Sequence, residues 1–255
     1  MPKPVTLKDI QQAQRRIASG IWFSPCQESL ALSEIIGARI FCKLDNSQHT
    51  GSFKERGARN ALLLMPADKR RRGVIAASAG NHALGLAYHG RLLGIPVTVV
   101  MPQFAPLIKS NACRRLGAHV LLHSETFAAA KQEAERLCRE ENLTYIHGFD
   151  DPAIIAGQGT MGLEILKQVP DVDAVVLPIG GGGLIAGVSL AIKSKRPKVR
   201  IIGVECTRWP GFSRVLRAGH PVVVSGSTTL ADGLAVAQVG TNAFAIARSR
   251  VDDSG

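Results

Sequence analysis

Cysteine is scarce in this chain of 255 residues: Cys26, Cys42, Cys113, Cys138 and Cys206 are odd in number and widely spaced, and no two have CxxC spacing. A disulfide framework and a zinc ribbon are both excluded, and reduced thiols in a cytoplasmic setting are expected. No apolar run reaches the roughly 18 residues that a membrane-spanning helix needs. The N-terminal MPKPVTLKDIQQAQRR is polar where a secretory signal would be apolar. Neither a membrane partner nor export is therefore expected. Aromatic residues make up only 5% of the chain, which leaves little for stacking on bases. Acidic residues are outnumbered 20 to 31, giving a formal charge of +11. Lys69, Arg70, Arg71 and Arg72 form the one dense basic run, expected in a solvated turn before a strand, so no nucleic-acid partner is predicted. The positive excess would instead help draw in anionic ligands.

What the chain does have is regular alternation. Short runs rich in Val and Ile at residues 74–77, 97–101, 120–123, 174–179 and 201–204 read as buried strands. Helical patterns at 81–93, 107–116 and 127–141 separate successive runs, which predicts parallel sheets joined by right-handed crossovers, a doubly wound α/β class. No repeat or low-complexity tract interrupts it. The stretch TYIHGFDDPAIIAGQGT after Leu143 reads as loop, because Gly148, Asp150, Asp151, Pro152, Gly157 and Gly159 break its periodicity. A second cluster of turn residues at 45–52 precedes a helix beginning near Phe53. These two breaks predict a smaller domain, residues 49–150, inserted in a larger one made of residues 1–48 and 151–255, with a ligand cleft between them.

The chemistry concentrates at strand ends. Gly180, Gly181, Gly182 and Gly183 follow the strand 174–179 and open the apolar stretch Leu184, Ile185, Ala186. Glycines here let successive backbone N–H groups converge on an anion at a helix N-terminus, where unpaired donors and the helix dipole favour phosphate. Two ligands fit. Gly181, Gly183 and Ala186 also satisfy the G-x-G-x-x-A dinucleotide pattern, and Glu205 ends the next strand about 20 residues on. An NAD(P)-dependent oxidoreductase with Glu205 on the ribose therefore stands as the alternative.

Two further strings bear on the choice: Thr50-Gly51-Ser52-Phe53-Lys54-Glu55-Arg56-Gly57-Ala58, and Ser78-Ala79-Gly80-Asn81-His82 at a strand-to-helix turn. Through them, and through Ala156 to Thr160, the four glycines and Ala231 to Ala235, the sequence resembles the fold type II pyridoxal-phosphate enzymes (the tryptophan synthase β-like fold), closest to the serine/threonine dehydratases. The resemblance implies two doubly wound open α/β domains with pyridoxal 5'-phosphate as cofactor. It implies that Lys54 holds the cofactor aldehyde as a Schiff base, with Phe53, Asn81, Gly180, Gly181, Gly182, Gly183 and Leu184 also at the cofactor. Asn81 would hydrogen-bond the ring hydroxyl. Ser78, Ala79, Gly80, Asn81 and His82 would receive the substrate carboxylate.

The implied activity is deamination of L-threonine or L-serine by β-elimination, giving a 2-oxo acid and ammonia, in a cytoplasmic homo-oligomer. Serine racemases resembling this group carry a hydroxyl at the position of Ala79, where it acts as a base on the opposite face of the substrate. Ala79 cannot accept a proton, so elimination is expected over racemisation. A cofactor-binding protein without turnover is the remaining alternative. Related enzymes with a divalent cation use an acid matching Glu205 and a second acid shortly after it. Cys206, Thr207, Arg208, Trp209, Pro210 and Gly211 supply none, so no metal is expected. The family also continues well past the region matching Val251, where a later Ser or Cys meets the pyridine nitrogen; the chain is expected to be shortened and its catalysis impaired.

Overall fold

The computed structural model describes residues 4–254. Thr6 opens helix α1 (Leu7–Ile17) with a reciprocal cap, its hydroxyl accepting from the Asp9 N–H while the Asp9 carboxylate accepts from the Thr6 N–H. Strands β1 (Cys26–Glu28) and β2 (Phe41–Lys43) pair antiparallel around helix α2 (Leu30–Ile36). Helices α3 (Lys54–Leu64) and α4 (Ala67–Arg72) lead into β3 (Val74–Ala77), α5 (Asn81–Leu93), β4 (Val97–Met101), α6 (Leu107–Arg115), β5 (His119–Leu122), α7 (Phe127–Glu140) and β6 (Thr144–Tyr145). Then follow α8 (Pro152–Gln168), β7 (Ala174–Ile179), α9 (Gly183–Lys195), β8 (Arg200–Glu205), α10 (Gly211–Ala218), α11 (Thr241–Ala247) and β9 (Asp253–Ser254).

Two parallel sheets carry the α/β layers. The first has the order β5-β4-β3-β6, with Ala77 opposite Val100 and Ile75 opposite Tyr145. One face packs against α3, α5 and α6 through Val74, Ala76, Val97, Val99, Leu86 and Cys113; the other meets Ala130 and Ala134 of α7. Because β4 lies on one side of β3 and β6 on the other, the connections diverge at the C-terminal end of β3, and a crevice forms there. The second sheet has the order β7-β8-β9 and buries Val175, Leu177, Ile179 and Ile201 against α8 and α9.

Three expectations need correction. Residues 152–160 of the expected loop are not loop but part of α8, which is buried along most of its length. Its glycines are contact points: a side chain on Gly157 would meet the Arg56 carbonyl at 2.6 Å, and one on Gly187 of α9 would meet the Ile155 carbonyl at 2.3 Å. Close helix packing outweighs the low helix propensity of glycine. Asp151 caps the helix through bonds from the Ala153 and Ile154 N–H groups, and Pro152 stands at its first position. The basic run of Lys69 to Arg72 belongs to the short helix α4 rather than a turn, although its side chains are exposed or half-buried. Finally, β7 is not buried on both faces: Ala174, Val176 and Pro178 are exposed, since the described helices cover one side.

Where α3 meets α8, charge is buried. Arg56 has no exposed surface; its guanidinium donates to both Asp45 oxygens (2.7 and 2.8 Å), both Glu164 oxygens (2.6 and 2.9 Å) and Thr160 Oγ1 (3.1 Å). Lys43 Nζ donates to Glu164 Oε2 at 2.6 Å and to the Ser24 carbonyl, so two cations face two carboxylates and the cluster is neutral. Burial alone would raise the Asp45 carboxyl, but the bonds from Arg56, Ser24 and Gln48 outweigh it and hold it below its ordinary value.

Removing one partner strands the other, so Arg56→Met should destabilise the fold by about 3–5 kcal/mol in urea or thermal melts. A carboxyl depressed in the folded state lends stability that is present above its unfolded value and lost as pH falls through its folded one. The melting temperature should therefore drop below about pH 4, and Asp45→Asn should flatten that drop; an identical acid limb in the variant would contradict the assignment.

Candidate active site

The turn ahead of α3 passes through Gly51 at φ 76° and ends with the Lys54 N–H directed at Ser52 Oγ, 3.4 Å away. Lys54 is half-buried, and its Nζ donates to the Gly148 carbonyl at 2.9 Å. The Phe53 and Phe149 ring centres lie 5.5 and 6.0 Å from that nitrogen. Burial pushes its pKa down to about 8, so a useful fraction is the neutral amine near neutral pH. A neutral amine is the form that adds to a carbonyl.

The four glycines sit between β7 and α9. Gly182 caps α9 in the left-handed conformation (φ 91°), and no side chain caps that helix, so its first N–H groups are available to an anion. The neighbours explain why side chains are excluded. A Cβ on Gly181 would lie 2.3 Å from the Phe149 ring, and one on Gly183 would lie 2.4 Å from the Phe149 carbonyl oxygen. Leu184 is buried in the first turn of α9. Gly148 and Phe149 thus touch both the Lys54 amine and the glycine loop.

The Ser78 to His82 loop follows β3 at the crevice of the first sheet. Ser78 Oγ accepts from the Gly80 N–H at 3.2 Å. Gly80 occupies the cap of α5, with Asn81 the first helical residue, so Asn81 does not spend its side chain as an N-cap. The Asn81 amide has no hydrogen-bond partner among the described residues. His82 is buried; its Nε2 lies 3.1 Å from the Ile146 carbonyl, and Nδ1 has no partner. Burial, with nearby Lys54, pushes its pKa down to about 3, leaving a neutral ring that donates through Nε2. Gly148 packs on the same ring, where a Cβ would sit 3.5 Å from its carbons. Lys54, the glycines and the Ser78 to His82 loop are therefore joined through one short segment, His147 to Phe149.

Glu205 is employed elsewhere. Its Oε1 accepts from the Phe212 N–H at 2.6 Å, and its Oε2 from the Ser213 N–H and hydroxyl at 2.8 and 2.5 Å, so the carboxylate caps α10. This removes the ribose partner that the dinucleotide alternative requires, although Gly181, Gly183 and Ala186 keep the spacing. Among the described residues no group of three or more His, Cys, Asp or Glu is placed to hold a metal ion. Sequence reasoning missed Gly148 and Phe149, because the stretch holding them reads only as a domain edge. The glycines they exclude side chains from were the available signal.

The parts present suit an aldehyde-bearing phosphate cofactor: a half-buried amine of lowered pKa, an uncapped glycine-rich helix start, and an unpartnered amide at the start of α5. Comparisons with known proteins agree. The L-threonine ammonia-lyase of Thermotoga maritima is 46% identical over 98% of this chain and 62% of its own length. Among solved structures, the processed form of threonine deaminase isoform 2 from Solanum lycopersicum superposes with TM-score 0.90 at 39% identity, over 99% of this chain and 71% of that one. Maize serine racemase does so with TM-score 0.95 at 32% identity, over 99% and 76%. The chain spans about 62% of the length of the first curated relatives it matches. The family described as pyridoxal-phosphate dependent enzyme matches residues 17–254, and this chain belongs to it.

Proposed function

We propose that the protein deaminates a small β-hydroxy amino acid, L-threonine or L-serine, to a 2-oxo acid and ammonia. The observation that carries this reading is that the half-buried Lys54 amine and an uncapped glycine loop share Phe149 as a neighbour. The threonine ammonia-lyase and threonine deaminase names of the relatives support the substrate. Bound pyridoxal phosphate supplies an electron sink that makes the Cα proton of the amino acid removable. The chain's residues do the rest. N–H groups of Gly181 to Leu184 hold the phosphate, and the Asn81 amide meets the ring hydroxyl, donating without titrating. The loop of Ser78, Ala79, Gly80, Asn81 and His82 receives the carboxylate, with the neutral His82 ring keeping repulsive charge away from the Lys54 amine. The Lys54 amine would take the Cα proton.

Residues 49–150 act as the substrate-loop unit against a cofactor unit built from both flanks. The His147 to Phe149 segment lies at one edge of that division. The free cysteines support a cytoplasmic setting, and the exposed Leu30, Ile35 and Ile36 of α2 support association into a homo-oligomer. No described helix is long and apolar enough to cross a membrane.

Borohydride reduction of the cofactor-loaded protein, followed by peptide mass spectrometry, should find a phosphopyridoxyl group on Lys54; label on a different lysine would remove the basis of the reading. With L-serine as substrate, pyruvate should exceed D-serine, because Ala79 offers no proton acceptor on the second face. More D-serine than pyruvate would reverse the choice between elimination and racemisation. Cofactor retained with no turnover on any amino acid would instead favour a binding protein.

A further inference from the structure

Beneath Lys54 lies a polar cluster that the proposed chemistry does not use. Glu55 and His89 are buried, with side chains wholly shielded from solvent, and His89 Nε2 is 3.3 Å from Glu55 Oε2, a contact outside hydrogen-bond geometry that leaves each atom facing the other without another partner. On its other side, His89 Nδ1 is 3.4 Å from Arg59 Nη1, and Arg59 Nη2 donates to Ser19 Oγ at 3.0 Å. A guanidinium can only donate, so Nδ1 is the accepting nitrogen and Nε2, on the Glu55 side, is the protonated one. The second oxygen of Glu55, Oε1, accepts from the Thr50 N–H. The carboxylate thus holds the turn before α3 with one oxygen and meets α5 with the other.

The backbone geometry makes this contact consequential. Gly85, one helical turn before His89 on the same face of α5, lies so close to α3 that a Cβ there would touch the Glu55 nitrogen, the Lys54 carbonyl carbon and the Ala58 methyl, each at 3.4 Å. The N-terminus of α5 is the Ser78 to His82 loop, and the N-terminus of α3 is Lys54. The seat of α5 on the first turn of α3 therefore sets how far the Lys54 amine stands from Asn81 and His82. Tyr88 packs edge-on against His89 with ring centres 4.9 Å apart, and His49 stacks on Tyr88 at 5.0 Å, closing the cluster.

We propose that Glu55 and His89 form a positioning pair: by joining the Thr50 to Lys54 turn to α5, they set the Lys54 amine in register with the Asn81 amide and the carboxylate-receiving loop. This rests on the reading of Lys54 as the cofactor lysine.

The test uses full-length His89→Leu, His89→Gln and Glu55→Gln, each titrated as apoprotein with pyridoxal phosphate. Dissociation constant, absorption maximum and yield of reductive trapping at Lys54 are read, with circular dichroism reporting the fold. His89→Leu should bind about tenfold more weakly and shift the absorption of the bound cofactor, as loss of an interaction between contacting residues implies. His89→Gln, whose amide can donate to Glu55 and accept from Arg59, should stay within about threefold of the parent. Glu55→Gln keeps one acceptor in place of two and should resemble His89→Leu, with the double variant no weaker than either single one. Parental affinity and absorption in a folded His89→Leu, or fully additive losses, would overturn the pairing. Should His89→Leu not fold, the comparison of Glu55→Gln with His89→Gln decides in the same way. Trapping at a lysine other than Lys54 in the parent would instead overturn the cofactor assignment, so the two failures are distinct.

Discussion

Arg56 carries a full charge into the interior, and much of the molecule is arranged so that it can stay there. Asp45 from the turn before α3 and Glu164 and Thr160 from α8 converge on it, and Lys43 from β2 shares Glu164 with it. An unpaired guanidinium at that depth would be strongly destabilising, so these elements assemble together or not at all. The cluster also has a directional effect. Arg56 is two residues after Lys54, and pinning it to α8 fixes the azimuth of the first turn of α3. The Lys54 side chain is thus oriented through a neighbour two residues away.

Close backbone approach is the second constraint, and it serves packing and binding at once. Gly157 and Gly187 let α8 lie against α3 and α9 at separations that no side chain tolerates. Gly181 and Gly183 do the same for Phe149, while Gly182 takes the left-handed conformation that ends the turn and starts α9. The N-terminus of α9 is left bare because a neighbour occupies the space where side chains would have been. The bare helix start thereby results from steric exclusion as much as from the lack of a capping residue.

The site also depends on the divergence of chain at the C-terminal end of β3. On one side the chain leaves β3 through Ser78 to His82; on the other, β6 delivers His147, Gly148 and Phe149. The carbonyl of Ile146 meets His82 and that of Gly148 meets Lys54. A ring and an amine that would repel as cations are kept apart in charge by burial, which lowers both pKa values. The Lys54 amine and the Ser78 to His82 loop are brought to one segment by sheet topology rather than by proximity in sequence.

The amino-acid sequence by itself determined the doubly wound alternation. Strands Val74–Ala77, Val97–Met101 and Ala174–Ile179 and helix Asn81–Leu93 lie where Val and Ile runs bounded by Gly, Pro and Ser place them, because those signals are local. It likewise drew attention to Lys54, Asn81 and the four glycines, since their strings are short and contiguous. Only the tertiary structure decided that the glycine-rich stretch 152–168 is a helix, because the close packing that favours it comes from Arg56, Gly57 and Gly187, far away in the chain. It alone assigned Glu205 to the cap of α10 rather than to a ribose, and it alone brought Gly148 to Lys54 and Phe149 to the glycines. Contacts between residues separated by tens of positions leave no period in a sequence, whereas burial and hydrogen bonding make them obligatory once the chain has folded.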